Sequence, residues 1–211
     1  MELYIDPRTV NCRKVLAGFT LMGVDYETEN VDFSSQGHKT PEYLAINPNG
    51  MLPALTDGDL KLWESNAILQ YGADKAGASS AYPKDLKVRA DINRWLLWEA
   101  SAWSPSCYVY MMENFRKPRR DQQPDLAILE AEAPNFHNLA GILDARLAGQ
   151  MWICGAPEPT IADIAVAAPL HLHRYAKQPL EEHSNICAWM DRIEALPCWI
   201  STDVTTLMGL R

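Results

Sequence analysis

The first 76 residues alternate between short runs with a period of two and longer runs with a period of three to four. Residues 2–5 form a short alternating run, which predicts a strand. Residues 11–22 carry apolar side chains at helical spacing and stop at Gly23, a residue typical of a helix C-cap. Residues 26–31 alternate again, so the segment 3–31 predicts a βαβ unit.

Two further apolar segments, 51–55 and 60–63, flank Asp57-Gly58, a dipeptide that strongly favours a hairpin turn. Another helical run begins at 64–66. A βαβ unit followed by a ββα unit fits one small α/β domain, in which the hairpin completes a mixed sheet.

After residue 76 the pattern changes. Residues 76–81 have the small, polar composition of a linker, and no convincing strand follows them. Four later segments are amphipathic at helical spacing; they are 87–114, 126–147, 160–175 and 185–196. The fold class is therefore α/β plus all-α, with an α/β domain in residues 1–78 and an all-helical domain in residues 84–211.

Pro105 lies inside the first of these helical segments. Because proline lacks a backbone donor and crowds the preceding turn, it should kink or interrupt the helix. A kink there would open a gap beside Trp103, Ser106 and Tyr110, and we expect these three residues to line a pocket.

Composition restricts the partners. Of 211 residues, 47% are hydrophobic and 22% charged, which predicts a folded, soluble chain. The 27 acidic residues outnumber the 19 basic ones, so neither nucleic acid nor an anionic membrane is expected as the main partner. No apolar run approaches the ~18 residues of a membrane helix. The five scattered cysteines suit the cytoplasm and predict neither a disulfide framework nor a metal site.

The loop after the first strand runs into the N-terminus of a helix, where backbone N–H groups and the helix dipole stabilise an anion. Thr9 and Asn11 add a hydroxyl and an amide donor there, so the loop could hold a thiolate. Alternatively, either residue only caps the helix. Cys12 could itself be a nucleophile of lowered pKa, or a buried small residue.

Two other segments could contact a ligand. If the bond before Pro53 is cis, the backbone of Leu52 turns outward and can pair with an extended peptide; otherwise Pro53 is an ordinary edge-strand proline. Glu64 could take a ligand ammonium while the N-terminus of the helix that opens at residues 64–66 takes a carboxylate. Alternatively, Ser65 only caps that helix.

A polar loop at residues 37–42 carries His38 and Lys39. These two side chains could grip a second carboxylate of a ligand. The alternative is that both are solvated surface groups.

Residues 37–55, 62–68 and 160–165 together resemble the cytosolic glutathione S-transferase superfamily, and the match covers almost the whole chain. Each motif alone is modest, but their order and spacing are highly specific. The resemblance implies a thioredoxin-like domain followed by a helical domain, usually in a homodimer. It also implies glutathione as a cosubstrate and no permanently bound cofactor.

The resemblance implies a role for each site residue. Glu64 and Ser65 hold the γ-glutamyl end of glutathione, Leu52 before a cis Pro53 pairs with the cysteinyl backbone, Met51 adds a backbone contact, and His38 and Lys39 meet the glycyl carboxylate. Bound in this way, the thiol points at Thr9 and Asn11, the expected catalytic pair. Lowering a thiol pKa of ~8.5 by ~2 units requires ~2.7 kcal/mol, which one or two charge-assisted hydrogen bonds supply.

Thr9 departs from the serine that many family members with a similar loop carry. It keeps the hydroxyl donor, but its methyl group restricts the rotamer. The leading hypothesis is conjugation of glutathione to a small hydrophobic electrophile. Because Thr9-Val10-Asn11 is similar to nu-class-like members, glutathione-dependent disulfide reduction is the first alternative. A non-catalytic dimeric interaction module of the same fold is the second.

Overall fold

The computed structural model describes residues 1–78 and 80–210, and this part of the chain contains one four-stranded sheet. Its strands are β1 (Glu2–Ile5), β2 (Glu27–Asn30), β3 (Ala54–Asp57) and β4 (Leu60–Trp63). The strand order is β2-β1-β3-β4, with β1 parallel to β2 and antiparallel to β3, and β3 antiparallel to β4. Leu3 and Ile5 alternate with more exposed neighbours and are buried, as the period of two predicts.

Three helices accompany this sheet: α1 (Val10–Met22), α2 (Pro41–Leu44) and α3 (Ser65–Ala76). Gly23 ends α1 with φ 63°, a left-handed conformation that glycine adopts without strain. The short α2 was not predicted, because it lies in a polar stretch without helical periodicity. It begins where Thr40 Oγ1 accepts a hydrogen bond from the Tyr43 amide, with Pro41 as its first residue.

Close packing of α1 against α3 depends on Gly72. The ring of Phe19, on α1, is fully buried. A Cβ atom at Gly72 would lie only 2.4 Å from Cε1 of Phe19. The ring of Phe19 therefore fits against α3 only because residue 72 has no side chain.

A second unit, from Asp85 to Ala195, contains helices joined by turns and loops and no strand among its described residues, as predicted. Its helices are α4 (Leu86–Trp98), α5 (Ser104–Tyr110), α6 (Leu126–Leu147), α7 (Ile161–Ala167), α8 (His173–Ala176) and α9 (Ser184–Glu194). All seven residues of α7 are buried. The fully buried Trp103, Phe136 and Trp189 are among the largest side chains in the interior.

Pro105 sits near the start of α5, between two π-helical segments, Glu99–Trp103 and Met111–Arg116. The predicted interruption therefore takes the form of widened turns on either side, and the segment remains helical. Proline removes one i→i−4 backbone hydrogen bond. In a π-turn, the neighbouring N–H and C=O groups instead pair across five residues.

Asp163 fixes the start of α7. Its fully buried carboxylate accepts hydrogen bonds from the amide and hydroxyl of Thr160, the amide of Ile153 and Nε1 of Trp189, at 2.8–3.2 Å. Burial raises the pKa of Asp163, and the four donors work in the opposite direction. These contacts form a capping box, which stabilises the start of α7.

The described residues from Leu196 onward pack with the first unit, which otherwise ends at Lys84. In this segment, α10 (Pro197–Ser201) meets α1. The guanidinium of Arg13 lies 4.4 Å from the ring centre of Trp199, and its Nη2 donates to the Trp199 carbonyl at 3.2 Å. The predicted boundaries, 1–78 and 84–211, place the segment from Leu196 onward in the helical domain, whereas its contacts group it with the first unit. No local sequence pattern indicates these contacts.

Candidate glutathione site

The sheet register brings three of the predicted segments to one end of the sheet. Tyr4 near the end of β1 pairs with Ala54 at the start of β3, and Ala54 pairs with Trp63 at the end of β4. The loop after β1, the turn before β3 and the junction of β4 with α3 therefore meet there. These segments carry Thr9, Leu52 and Glu64, respectively.

The loop after β1 is held by the buried carboxylate of Asp6. It accepts hydrogen bonds from Nε and Nη2 of Arg8 at 2.8 and 2.6 Å and from the amide of Phe33 at 3.1 Å. Burial alone would raise the pKa of Asp6, but these donors keep it below its ordinary value. Because the Asp6 carboxylate stays ionised, it holds the loop that leads into α1 through its bonds from Arg8 and from the amide of Phe33.

Thr9 is the N-cap residue of α1, and its hydroxyl donates to the Asp6 carbonyl at 3.0 Å. Its side chain makes no capping bond to the first turn within the described residues. A hydroxyl carries one hydrogen, so donation to a thiolate would replace the bond to Asp6. Asn11 is exposed in the first turn of α1, where its amide can also donate.

Cys12 is fully buried, and burial raises the pKa of its thiol to about 12. The hydrogen bond with the Thr9 side chain only partly offsets this effect. A thiol of such pKa is protonated at neutral pH and is a poor nucleophile. Of the two interpretations of Cys12, the structure favours the buried residue.

The turn before β3 contains a cis peptide bond between Leu52 and Pro53. The carbonyl of the preceding residue, Met51, accepts two hydrogen bonds, from Oη of Tyr43 at 2.6 Å and from Nδ2 of Asn47 at 2.8 Å. The Met51 side chain is exposed, and the backbone contact with glutathione that the resemblance implies for this residue stays a prediction.

His38 and Lys39 have different environments. The His38 ring is buried and stacks on Phe33 with ring centres 4.1 Å apart. Burial, followed by the charge of Lys39, lowers the pKa of His38, so its imidazole is neutral at neutral pH. Nζ of Lys39 donates to the Gly50 carbonyl at 2.9 Å. A positive charge for a ligand carboxylate can therefore come from Lys39 but not from His38.

Glu64 connects β4 to α3 with φ 72° and ψ 113°, an uncommon conformation for a residue other than glycine. Such backbone strain costs ~1–3 kcal/mol and concentrates at functional sites. The Glu64 side chain is exposed and makes no capping bond to α3 in the described structure. Ser65 is the first residue of α3 and is buried, and its hydroxyl accepts a hydrogen bond from Nζ of Lys14 at 3.1 Å.

The three residues predicted to line an electrophile pocket lie in the helical unit and are all buried. Nε1 of Trp103 donates to the Val166 carbonyl at 3.1 Å, and Oγ of Ser106 donates to Glu132 at 2.5 Å. Tyr110 packs edge-on against Phe136 with ring centres 4.9 Å apart.

The ring of Phe136 also lies against Trp103, with ring centres 5.2 Å apart. Phe136 therefore packs against both aromatic members of the predicted pocket lining. Lining of an electrophile pocket by Trp103, Ser106 and Tyr110 stays a prediction.

Sequence reasoning missed several residues that shape the site. They are Lys14, Asn66, Tyr43, Asn47 and Gly50. Gly50 has φ 58°, and a Cβ atom there would lie 2.8 Å from Nζ of Lys39. The sequence does contain an indication that Lys14 is buried. Helical spacing places this lysine near Val15 and Gly18, on the buried side of α1.

Within the described residues, no group of three or more histidine, cysteine or acidic side chains could hold a metal ion. In the same part of the chain, no helix is both long and apolar enough to cross a bilayer.

Two family models match the chain. The N-terminal domain of glutathione S-transferase matches residues 3–74, and its C-terminal domain matches residues 108–197. This chain belongs to the glutathione S-transferase family. It is a transferase that uses glutathione as its cosubstrate. The thioredoxin-like domain and the helical domain that the resemblance implies are both confirmed.

Individual relatives cover nearly all of the transferase. A probable glutathione S-transferase of Oryza sativa subsp. japonica is 30% identical over 99% of this chain and 97% of its own length. Glutathione S-transferase 3 of Zea mays is 30% identical over 96% of this chain and 92% of its own. Because these relatives are named transferases, the comparisons do not favour disulfide reduction.

Solved structures agree with the fold. A theta class glutathione S-transferase from the citrus canker pathogen Xanthomonas axonopodis pv. citri, with glutathione bound, superimposes with a TM-score of 0.82 at 30% identity. The alignment covers 97% of each chain. A glutathione transferase family member from Pseudomonas fluorescens pf-5, with two glutathione molecules bound, gives 0.84 at 29% identity, over 95% of this chain and 91% of that one.

Proposed function

We propose that this transferase binds glutathione along the end of the sheet where β1, β3 and β4 meet. Glu64 and Ser65 take the γ-glutamyl end, and the backbone of Leu52 pairs with the cysteinyl residue. The glycyl carboxylate lies near Lys39, with His38 as a neutral neighbour. The sheet register supports this proposal. It aligns Tyr4, Ala54 and Trp63, and so brings together the loop after β1, the turn before β3 and the junction of β4 with α3.

The thiol of glutathione then lies at the N-terminus of α1. The hydroxyl of Thr9 and the amide of Asn11 donate hydrogen bonds that favour the thiolate over the thiol, aided by the helix dipole. Cys12 takes no part, because its own pKa is raised to about 12. The reactive sulfur therefore belongs to the ligand.

The thiolate attacks a small hydrophobic electrophile. We also propose that the transferase works as a homodimer in the cytosol. The five cysteines, all free thiols in the structure, suit a reducing compartment. The bound glutathione in the Xanthomonas axonopodis relative supports the ligand assignment.

The test is conjugation of glutathione to a chlorinated nitroaromatic by the parent, Thr9→Ala and Asn11→Ala. Losing a hydrogen bond to a charged sulfur should lower kcat/KM by about tenfold or more in at least one variant. Thr28→Ala, at an exposed threonine of β2, is the matched control and should keep the parental rate. Parental rates in both site variants would remove the assignment of the thiolate site.

A further inference from the structure

Lys14 is a buried cation at the junction of α1 and α3. Only 2% of its surface is exposed, although lysine is rarely buried without polar partners. Its Nζ donates to Oγ of Ser65 at 3.1 Å and to Oδ1 of Asn66 at 3.3 Å. Ser65 and Asn66 are the first two residues of α3, the helix whose N-terminus forms the proposed γ-glutamyl site.

The ammonium group of lysine has three donors and no acceptor. The oxygen of Ser65 must therefore accept from Lys14, and the single hydrogen of that hydroxyl must point elsewhere. In the same way, the amide oxygen of Asn66 faces Lys14, so the amide nitrogen faces away from it. Both side chains are thus oriented with their donors directed away from the lysine.

We propose that Lys14 is a positioning residue that prepares the N-terminus of α3 for the α-carboxylate of the γ-glutamyl group. The inference rests on the proposed glutathione site. Lys14 acts through Ser65, whose hydroxyl it turns into a donor toward the carboxylate. Its charge also adds to the positive end of the helix dipole, which attracts the same group.

If Lys14 only joined α1 to α3, its replacement would weaken the binding of all ligands equally. If Lys14 positions Ser65, its replacement would weaken the binding only of ligands that carry the α-carboxylate. The two roles separate when binding is measured for glutathione and for γ-aminobutyryl-cysteinylglycine, which lacks only that carboxylate. Calorimetry should be performed on the parent and on Lys14→Met, with Lys84→Met as the control at an exposed lysine.

We expect Lys14→Met to weaken glutathione binding about tenfold, the size of one charge-assisted hydrogen bond, and to change binding of the analogue less than twofold. In turnover assays KM for glutathione should rise while kcat at saturation stays close to parental. Lys84→Met should leave both affinities unchanged. Equal weakening of both ligands, or of neither, would overturn the positioning role.

Lys14→Gln covers the case in which Lys14→Met does not fold, because its amide can still donate to Ser65 without the charge. It should weaken glutathione binding about threefold and spare the analogue, and equal effects on both ligands would again overturn the inference. A parent protein that binds no glutathione would instead refute the proposed function itself. A parent that binds and conjugates, beside a Lys14→Met that is indistinguishable from it, refutes only the role of Lys14.

Discussion

Replacing Gly72 by alanine adds one methyl group to α3, directly against the ring of Phe19. The new Cβ atom would lie 2.4 Å from Cε1 and 2.9 Å from Cζ of that ring. Ordinary contacts between such atoms begin about 1 Å further apart. Because Phe19 is fully buried and also packs against Tyr26, the ring has little room to retreat.

Two opposing contributions determine the size of the effect. Alanine is favoured over glycine inside a helix by about 1 kcal/mol, which stabilises the variant. Overpacking a core by one methyl group costs about 1–3 kcal/mol, and the short distance at Gly72 places this site at the upper end. We therefore expect Gly72→Ala to lower the free energy of unfolding by about 2 kcal/mol.

Gly141 in α6 provides the matched control. It is a helical glycine too, but a Cβ atom there would meet nothing within 4 Å. Gly141→Ala should therefore gain most of the helix-propensity term and raise the free energy of unfolding by about 0.5–1 kcal/mol. The same substitution is thus expected to act with opposite sign at the two positions.

Urea unfolding followed by circular dichroism, with all three proteins at one concentration, measures both effects. The fluorescence of the tryptophans should be followed in parallel, because a two-unit chain can unfold in more than one step. If Gly72→Ala proved as stable as Gly141→Ala, the packing explanation for Gly72 would be refuted.

Three further predictions concern single ionisable groups. Cys12 should resist iodoacetamide at about pH 8 in the folded protein, because burial raises its pKa to about 12; labelling at the rate of the unfolded chain, read by mass spectrometry, would contradict this. Asp163→Asn should lower the free energy of unfolding by about 2–4 kcal/mol, because the new amide nitrogen faces other donors; a parental midpoint in urea would refute it. His173, and then Arg174, hold the pKa of Glu194 at about 2, so its stabilising contribution is present above pH 4.5 and lost as the pH falls through about 2. Glu194→Gln should flatten the pH dependence of unfolding in that window by on the order of 1 kcal/mol, and an unchanged slope would exclude this contribution.

Elements with strong local signals were predictable from the sequence. The strand Glu2–Ile5 and the helix Leu126–Leu147 have the bounds that their periodicity indicates. In contrast, the short helix Pro41–Leu44 is too brief to show a period, and its existence depends on a threonine cap and on burial of Tyr43.

Properties that depend on distant neighbours were not predictable. A histidine beside a lysine in a polar loop suggests a solvated cation, but His38 is buried against Phe33 and loses its charge. The partners of Lys14 lie more than 50 positions away in sequence. Likewise, nothing local in the C-terminal segment shows that Trp199 meets Arg13.

The two hydrogen bonds to the Met51 carbonyl have a thermodynamic consequence. An amide is planar, so fixing the carbonyl of Met51 also fixes the direction of the N–H group of Leu52 in the same peptide unit. That peptide has already given up its rotational freedom during folding. A ligand backbone that pairs with it does not bear this ordering cost, which amounts to ~1–2 kcal/mol per residue. Tyr43 and Asn47 would then contribute to affinity through entropy without touching the ligand.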